Sequence, residues 1–177
     1  MKDTFFELIN KRQSCRDFND LPLSKEIVLD IAKAGMLAPS ACNMQPWKIH
    51  IVTSEDKVKE VASCLQDRGM NKFTDRAKAF IVVSEKDLSK SERIGVTFSK
   101  YHFVKYDIGE YIAYATLRAE SLGVSSCIIG WIDRERLKKV VGIPDEDISH
   151  VVIALGYSDA PVRKKIRNKV EETIVEI

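Results

Sequence analysis

The chain has 177 residues, 45% hydrophobic and 31% charged, and its 28 Lys and Arg against 26 Asp and Glu leave a formal charge of +2. This length predicts one domain spanning 1–177, large enough to bury its own core. Eight Gly and five Pro exclude a collagenous or low-complexity chain, ordinary apolar content excludes disorder, and the near-neutral sum gives no global pull toward nucleic acid or anionic lipid.

Residues 3–12 place Phe5, Leu8, Ile9 and Arg12 at helical spacing, and Lys11 and Arg12 suit the C-terminal end of a helix dipole. The stretch 13–23 is irregular. Ser24 then predicts an N-cap, with Leu23 and Val28 as a hydrophobic staple, for a helix through Ile27, Ile31 and Ala34 that fades between Gly35 and Pro39. Trp47 to Val52 predicts a strand and 55–66 a helix with Val58, Val61, Ala62 and Leu65 on one face. Ala79 to Val83 is a second strand, buried throughout. The longest helix is expected over 105–122, closed by Gly123, with the alanines at 113, 115 and 119 allowing close packing. Cys127 to Ile129 is a third strand; Asp133 caps a short helix ended by Gly142 and Pro144; Val151 to Leu155 is a fourth strand. Alternating strands and helices with no linker or repeat imply one layered domain. The tail 159–177 differs: a basic run, Arg163 to Lys169, precedes Val170 to Ile177, which reads as a strand with little to pack on in its own domain, so the tail either frays or docks on a partner.

No run approaches the ~18 apolar residues of a membrane helix, and the first seven residues lack a secretory apolar core. Cys15, Cys42, Cys64 and Cys127 form no CxxC, and His50, His102 and His150 are far apart, so a zinc site or disulfide framework has little support. The expected setting is cytoplasmic, with reduced thiols and no nucleic-acid or membrane partner. Phosphate-loop, zinc-protease and serine-hydrolase motifs are absent, so chemistry here is expected to come from a bound cofactor.

Three polar islands stand out. Arg12-Gln13-Ser14-Cys15-Arg16 offers two guanidinium groups and a hydroxyl, a kit for phosphate, or else a solvated basic turn. Residues 38–47 set Ser40, Asn43 and Gln45 between two prolines and beside Trp47, which suits an uncharged heterocycle or is an ordinary connector. The basic tail is a solvated patch or, alternatively, a nucleic-acid contact. Cys42 is expected to be a packed thiol and Trp47 a core residue. Tyr101 and His102 are candidates for facing a substrate pocket.

Arg12-x-Ser14-x-Arg16-x-Phe18, Ala38-Pro39-Ser40-x-x-Asn43-x-Gln45-Pro46-Trp47 and Asp107-Ile108-Gly109 occur in that order. Leu122-Gly123-Val124, Gly130-Trp131-Ile132-Asp133, Val141-Gly142-Ile143-Pro144, Ala154-Leu155-Gly156-Tyr157 and Lys165-x-Arg167 followed by Val170-Glu171-Glu172 complete the series. Together they resemble the nitroreductase-like FMN-dependent oxidoreductases, from residue 12 to 172. The resemblance implies an α+β, three-layer α/β/α fold with a mixed, mainly antiparallel sheet, and an intertwined homodimer that exchanges its C-terminal tail. It implies that Arg12, Ser14, Lys165 and Arg167 hold the FMN phosphate and Gln13 the ribityl or pyrimidine side. Arg16 would be the cation at flavin N1 and C2=O, with no side-chain acid or base needed. Pro39, Ser40, Ala41, Asn43 and Gln45 would line the ring from the partner protomer, Gly130 would offer a backbone N–H to N5 beside Ile129, and Asn71 would contact the flavin. NAD(P)H is the implied donor and a nitroaromatic, quinone or similar small molecule the acceptor. Dehalogenation or flavin cleavage on the same fold is the alternative, and a non-catalytic interaction module with a basic tail is the rival class. The stretch 84–106, where longer members cover the substrate, shows no clear lid.

Overall fold

All four expected strands form, and they join into one sheet. In the computed structural model, which describes residues 4–85 and 103–177, β1 (Trp47–Val52), β2 (Ala79–Glu85), β3 (Ser125–Ile129) and β4 (Ile148–Gly156) stand in the order β1-β2-β4-β3. Each pairing is antiparallel, with Ile81 opposite Ile153 and Val82 opposite Val152 at the centre. Among the described residues the parallel component expected of the sheet is a single bridge, Ser14 to Ser126, where the Cys15 N–H donates to the Ser126 carbonyl at 2.9 Å.

Strand alternation sorts the core onto two faces. Val52, Phe80, Val82, Val152 and Ala154 meet Val58, Val61 and Leu65 of α3 (Glu55–Leu65) and Leu137 of α5 (Arg134–Val141). Ile81, Val83, Ile153 and Leu155 meet α2 (Lys25–Gly35) and α4 (Val104–Ser121). Both faces are covered, which explains why β2 reads as an unbroken apolar run, with Phe80 to Val83 fully buried. The three-layer arrangement expected from the resemblance is therefore present.

The helix signals in the sequence are realised in their chemistry. Ser24 Oγ accepts from the Ile27 N–H at 3.4 Å, and Asp133 Oδ1 accepts from the Arg136 N–H at 3.1 Å. Gly142, at φ +70°, closes α5 in the left-handed conformation. Tyr111 of α4 is wholly buried; its hydroxyl donates to the Ala32 carbonyl at 3.1 Å, and its ring lies 5.6 Å from that of Trp47. Trp47 is thus a core residue, as expected. Ala115 and Ala119 lie at the buried face of α4, while Ala113 is exposed.

Three features depart from the sequence expectations. The short α1 (Thr4–Lys11) forms but buries none of its residues, and Phe5 and Phe6 are each about 60% exposed. β3 begins at Ser125, because Ser125 and Ser126 pair with Gly156 and Leu155; two serines carry no apolar signal. Residues 170–173, expected as strand, form a single helical turn, α6 (Val170–Thr173). Among the described residues no helix is long and apolar enough to cross a membrane.

Candidate functional site

The chain leaves α1 and lays residues 12–16 along the outer edge of β3, held by the Ser14 to Ser126 bridge. After β4 the tail returns to the same place. Residues 157–159 bond to Asn19, whose backbone N–H donates to the Tyr157 carbonyl at 2.8 Å and whose side-chain amide donates to Asp159 Oδ2 at 3.0 Å. Arg163 Nη2 then donates to the Ser14 carbonyl at 2.6 Å, and Lys165 Nζ donates to the Arg12 carbonyl. Two stretches about 150 positions apart thereby enclose a cleft of about 420 Å³, lined by Arg12, Gln13, Ser14, Arg16, Arg163, Lys164, Lys165, Ile166 and Arg167.

Six cations and no carboxylate line this cleft. Burial pushes the Arg12 guanidinium below its usual pKa, against the opposing fields of Cys127 and Glu120. Lys165 is also pushed down, first by burial and then by Arg12 and Arg167. The Nε and Nη2 donors of Arg12 are buried with no hydrogen-bond partner among the described residues. Buried donors are nearly always satisfied, and a charged one without a partner is expensive. The donor set fits an anion with several acceptor oxygens, which a phosphate monoester supplies and a neutral ligand does not.

The first and third polar islands therefore meet, and Arg12, Gln13, Ser14, Arg16, Lys165 and Arg167 line one cleft. Arg163 and Lys164 share it; their signal in the sequence was the basic run itself. Gln13 is engaged differently from expectation: both ends of its amide bond the tail, at Pro161 and Arg163.

The second island lies elsewhere. Residues 41–45 form a turn in which Cys42 (φ 52°), Asn43 (φ 54°) and Gln45 (φ 46°) all occupy the left-handed region, and Cys42 is exposed rather than packed. Three non-glycine residues so placed store strain of the kind that gathers at ligand sites. The turn is self-bonded: Ser40 Oγ accepts from the Gln45 N–H at 3.0 Å, and Gln45 Nε2 donates to Asn43 Oδ1 at 3.1 Å. It is pinned to α4 by Asp107, whose two carboxylate oxygens accept from the Ala41 N–H at 3.2 and 3.3 Å. Pro39 is buried less than its neighbour Ala38.

Asp107 is 5% exposed, and burial raises its pKa above the ordinary 3.8 despite the bond from Ala41. The native state therefore binds more protons than the unfolded chain in the window above pH 3.8, so this group lowers stability as pH rises through it. Asp107→Asn keeps an acceptor for Ala41 and removes the titration. Relative to the parent, its melting temperature is expected to climb as pH rises above 3.8; a difference that stays constant with pH would contradict the assignment.

Ile129 is buried at the end of β3, and Gly130 follows it in the open. A Cβ on Gly130 would meet no protein atom within 4 Å, so packing does not demand glycine there. Asn71 does not line the basic cleft. Its backbone is left-handed (φ 50°), and its Nδ2 donates to the Leu65 carbonyl at 3.1 Å, closing the end of α3. Tyr101, His102 and most of the 84–106 stretch lie outside the described residues.

The class these observations define is an α/β/α sandwich that gathers six cations around one cleft at its sheet edge. The sequence pattern of the Nitroreductase family matches residues 9–69 and 64–157, and the chain belongs to that family. An Archaeoglobus fulgidus protein named "Putative NADH dehydrogenase/NAD(P)H nitroreductase" is 30% identical over 155 residues, 85% of this chain and 83% of the relative. The nitroreductase family protein of Streptococcus pneumoniae TIGR4 superposes with a TM-score of 0.83 at 22% identity, covering 98% of this chain and all of that one. The NADPH:FMN oxidoreductase of Vibrio harveyi, solved with NAD+, gives 0.78 at 22% identity over 97% of this chain and 76% of its own.

Proposed function

We propose that this protein is an FMN-dependent oxidoreductase that draws electrons from NAD(P)H and delivers them to a nitroaromatic, quinone or similar small acceptor. The observation that carries this reading is the pair of unpartnered buried donors on Arg12, set among six cations. Family membership and the FMN named for the Vibrio harveyi neighbour select which phosphorylated ligand belongs there.

Arg12, Ser14, Lys165 and Arg167 bind the phosphate; the two arginines supply planar, directed donors and Lys165 a point charge. FMN held there would supply two-electron chemistry, with NAD(P)H as the hydride source and the small molecule as the electron acceptor. Arg16, exposed at the cleft, is the cation assigned to the N1 and C2=O edge of the ring, where it offsets negative charge. Gly130 leaves the space beside β3 unfilled, and Ile129 adds an apolar wall that keeps water from the ring. Asn71 is assigned a flavin contact through its remaining amide oxygen.

The separation of the 39–45 turn from the basic cleft favours a homodimer. In that reading Pro39, Ser40, Ala41, Asn43 and Gln45 complete the partner's site rather than their own. The exposed apolar surface agrees: Ile166 is 87% exposed, Leu37 79% and Val175 80%, far above what a monomer gains by displaying them. The tail beyond 165 is the part assigned to exchange, since 161–165 is bonded to 12–14 of the same chain.

Purification tests this reading. The expected protein is yellow, dimeric by sedimentation and loaded with one FMN per chain, and its colour bleaches anaerobically on adding NADH or NADPH and returns with an acceptor. A colourless monomer that ignores added FMN would leave the interaction-module reading in its place.

A further inference from the structure

We infer that Gln13 and Arg163 form a latch that holds the tail over the anion cleft, and that they are positioning residues for the phosphate rather than contacts to it. The inference rests on the reading of the cleft as a phosphate site, but the latch itself is observed without that reading.

The Gln13 amide is committed to the tail at both ends. Its Oε1 accepts from the Arg163 backbone N–H and from Arg163 Nε, each at 3.1 Å, and its Nε2 donates to the Pro161 carbonyl at 3.1 Å. Arg163 completes the pair by donating from Nη2 to the Ser14 carbonyl at 2.6 Å. These bonds join positions 148 to 150 residues apart. They matter because, apart from Lys165 Nζ donating to the Arg12 carbonyl, little else holds the tail beyond 160. Residues 157–169 have no regular secondary structure, and the described backbone-to-backbone bonds include none between 160–169 and 12–16. Apolar packing is also poor, since Val162 and Ile166 are 54% and 87% exposed. An open pocket of about 280 Å³ is lined by 13–17 and by Ala160, Pro161 and Arg163.

Charge works against closure as well. Arg12, Arg16, Arg163, Lys164, Lys165 and Arg167 line one cleft, so an anion-free tail is pushed outward and a bound phosphate draws it in. Lys165 and Arg167 reach the ligand only when the tail is seated. Apparent affinity is then the intrinsic affinity multiplied by the fraction of closed tail, and the latch sets that fraction. Gln13, a neutral residue, does this without touching the anion.

Two variants separate position from charge. Gln13→Ala removes no charge, and Arg163→Lys keeps the charge and the tryptic site but loses the forked contact to Gln13 and Ser14. In the protein as purified, limited trypsin digestion is expected to nick 163–169 several-fold faster in both variants, with cleavage elsewhere in the chain unchanged, and FMN in excess is expected to slow the nicking. Both variants are also expected to bind FMN about ten- to a hundredfold more weakly, the range for losing two or three such hydrogen bonds, and Gln13→Ala should leave the salt dependence of binding as in the parent. Nicking at the parental rate in both variants would overturn the latch. Rescue of FMN affinity by Arg163→Lys would show that charge alone is at work and would also overturn it. Faster nicking in a protein that does not bind FMN would uphold the latch and reject the ligand assignment.

Discussion

Arg12→Met is expected to raise the melting temperature of the FMN-free protein and to lower that of the FMN-bound protein. Without ligand, Arg12 holds two buried donors with no partner, an arrangement that costs about 1–3 kcal/mol or more for a charged group. Methionine fills a similar volume and leaves nothing unsatisfied, so the FMN-free variant gains stability, at about 2–4 °C per kcal/mol for a chain of this length. With ligand the balance reverses. Charge-assisted bonds contribute about 1.5–3 kcal/mol each. Losing two, with some compensation from Lys165 and Arg167, weakens FMN binding by about a hundred- to a thousandfold. Ligand at a hundred times the parental dissociation constant stabilises by about 2.7 kcal/mol, and the variant forfeits nearly all of it. Thermal melts of both proteins at several FMN concentrations read the two signs directly. A loss of stability in both states would make Arg12 an ordinary structural residue.

The second large effect is steric. A Cβ built on Gly35 would lie 2.6 Å from the Tyr111 ring, and one on Gly156 would lie 2.8 Å from the Phe18 ring. Tyr111 is wholly buried and Phe18 is 1% exposed, so neither ring has room to retreat. Overpacking of this kind costs about 1–3 kcal/mol per site. Gly35→Ala would push α2 from α4, and Gly156→Ala would push the end of β4 from the segment that leads out of the anion cleft. Gly109, in α4, is the internal control, because a Cβ there meets nothing within 4 Å. Gly109→Ala should stabilise by about 0.5–1 kcal/mol through helix propensity. Chemical denaturation of the three variants is the measurement. Equal stability of Gly35→Ala and Gly109→Ala would contradict the packing of α2 on α4.

The fold was legible where chemistry is local. Ser24 and Asp133 announce helix starts through their own side chains, and the apolar run of 79–83 needs no partner to read as a buried strand. β3 was legible only in part, since Ser125 and Ser126 owe their strand conformation to β4 and to residue 14 across the chain. α6 was misread because Val170 and the Ile174 to Ile177 tail alternate like a strand, while the structure winds residues 170–173 into one turn. The cation cleft was legible as two basic islands, and the resemblance joined them at Arg12, Ser14, Lys165 and Arg167. The roles of Gln13 and Arg163 were not legible. They arise from an amide and a guanidinium about 150 positions apart, and no local pattern encodes such a pairing. The strained turn at 41–45 was visible as an odd composition, but its attachment to Asp107 was not, because 66 residues separate the partners.

The central claim is that the basic groups at the two ends of the chain converge on the phosphate of FMN. Its most direct test is a parallel titration of the cofactor-free protein with FMN and with riboflavin, which differ only by that phosphate. FMN is expected to bind at least a hundredfold more tightly, on the scale of two or more charge-assisted bonds, and Arg12→Met and Lys165→Met are each expected to erase most of the difference. Equal affinity for the two flavins would contradict it.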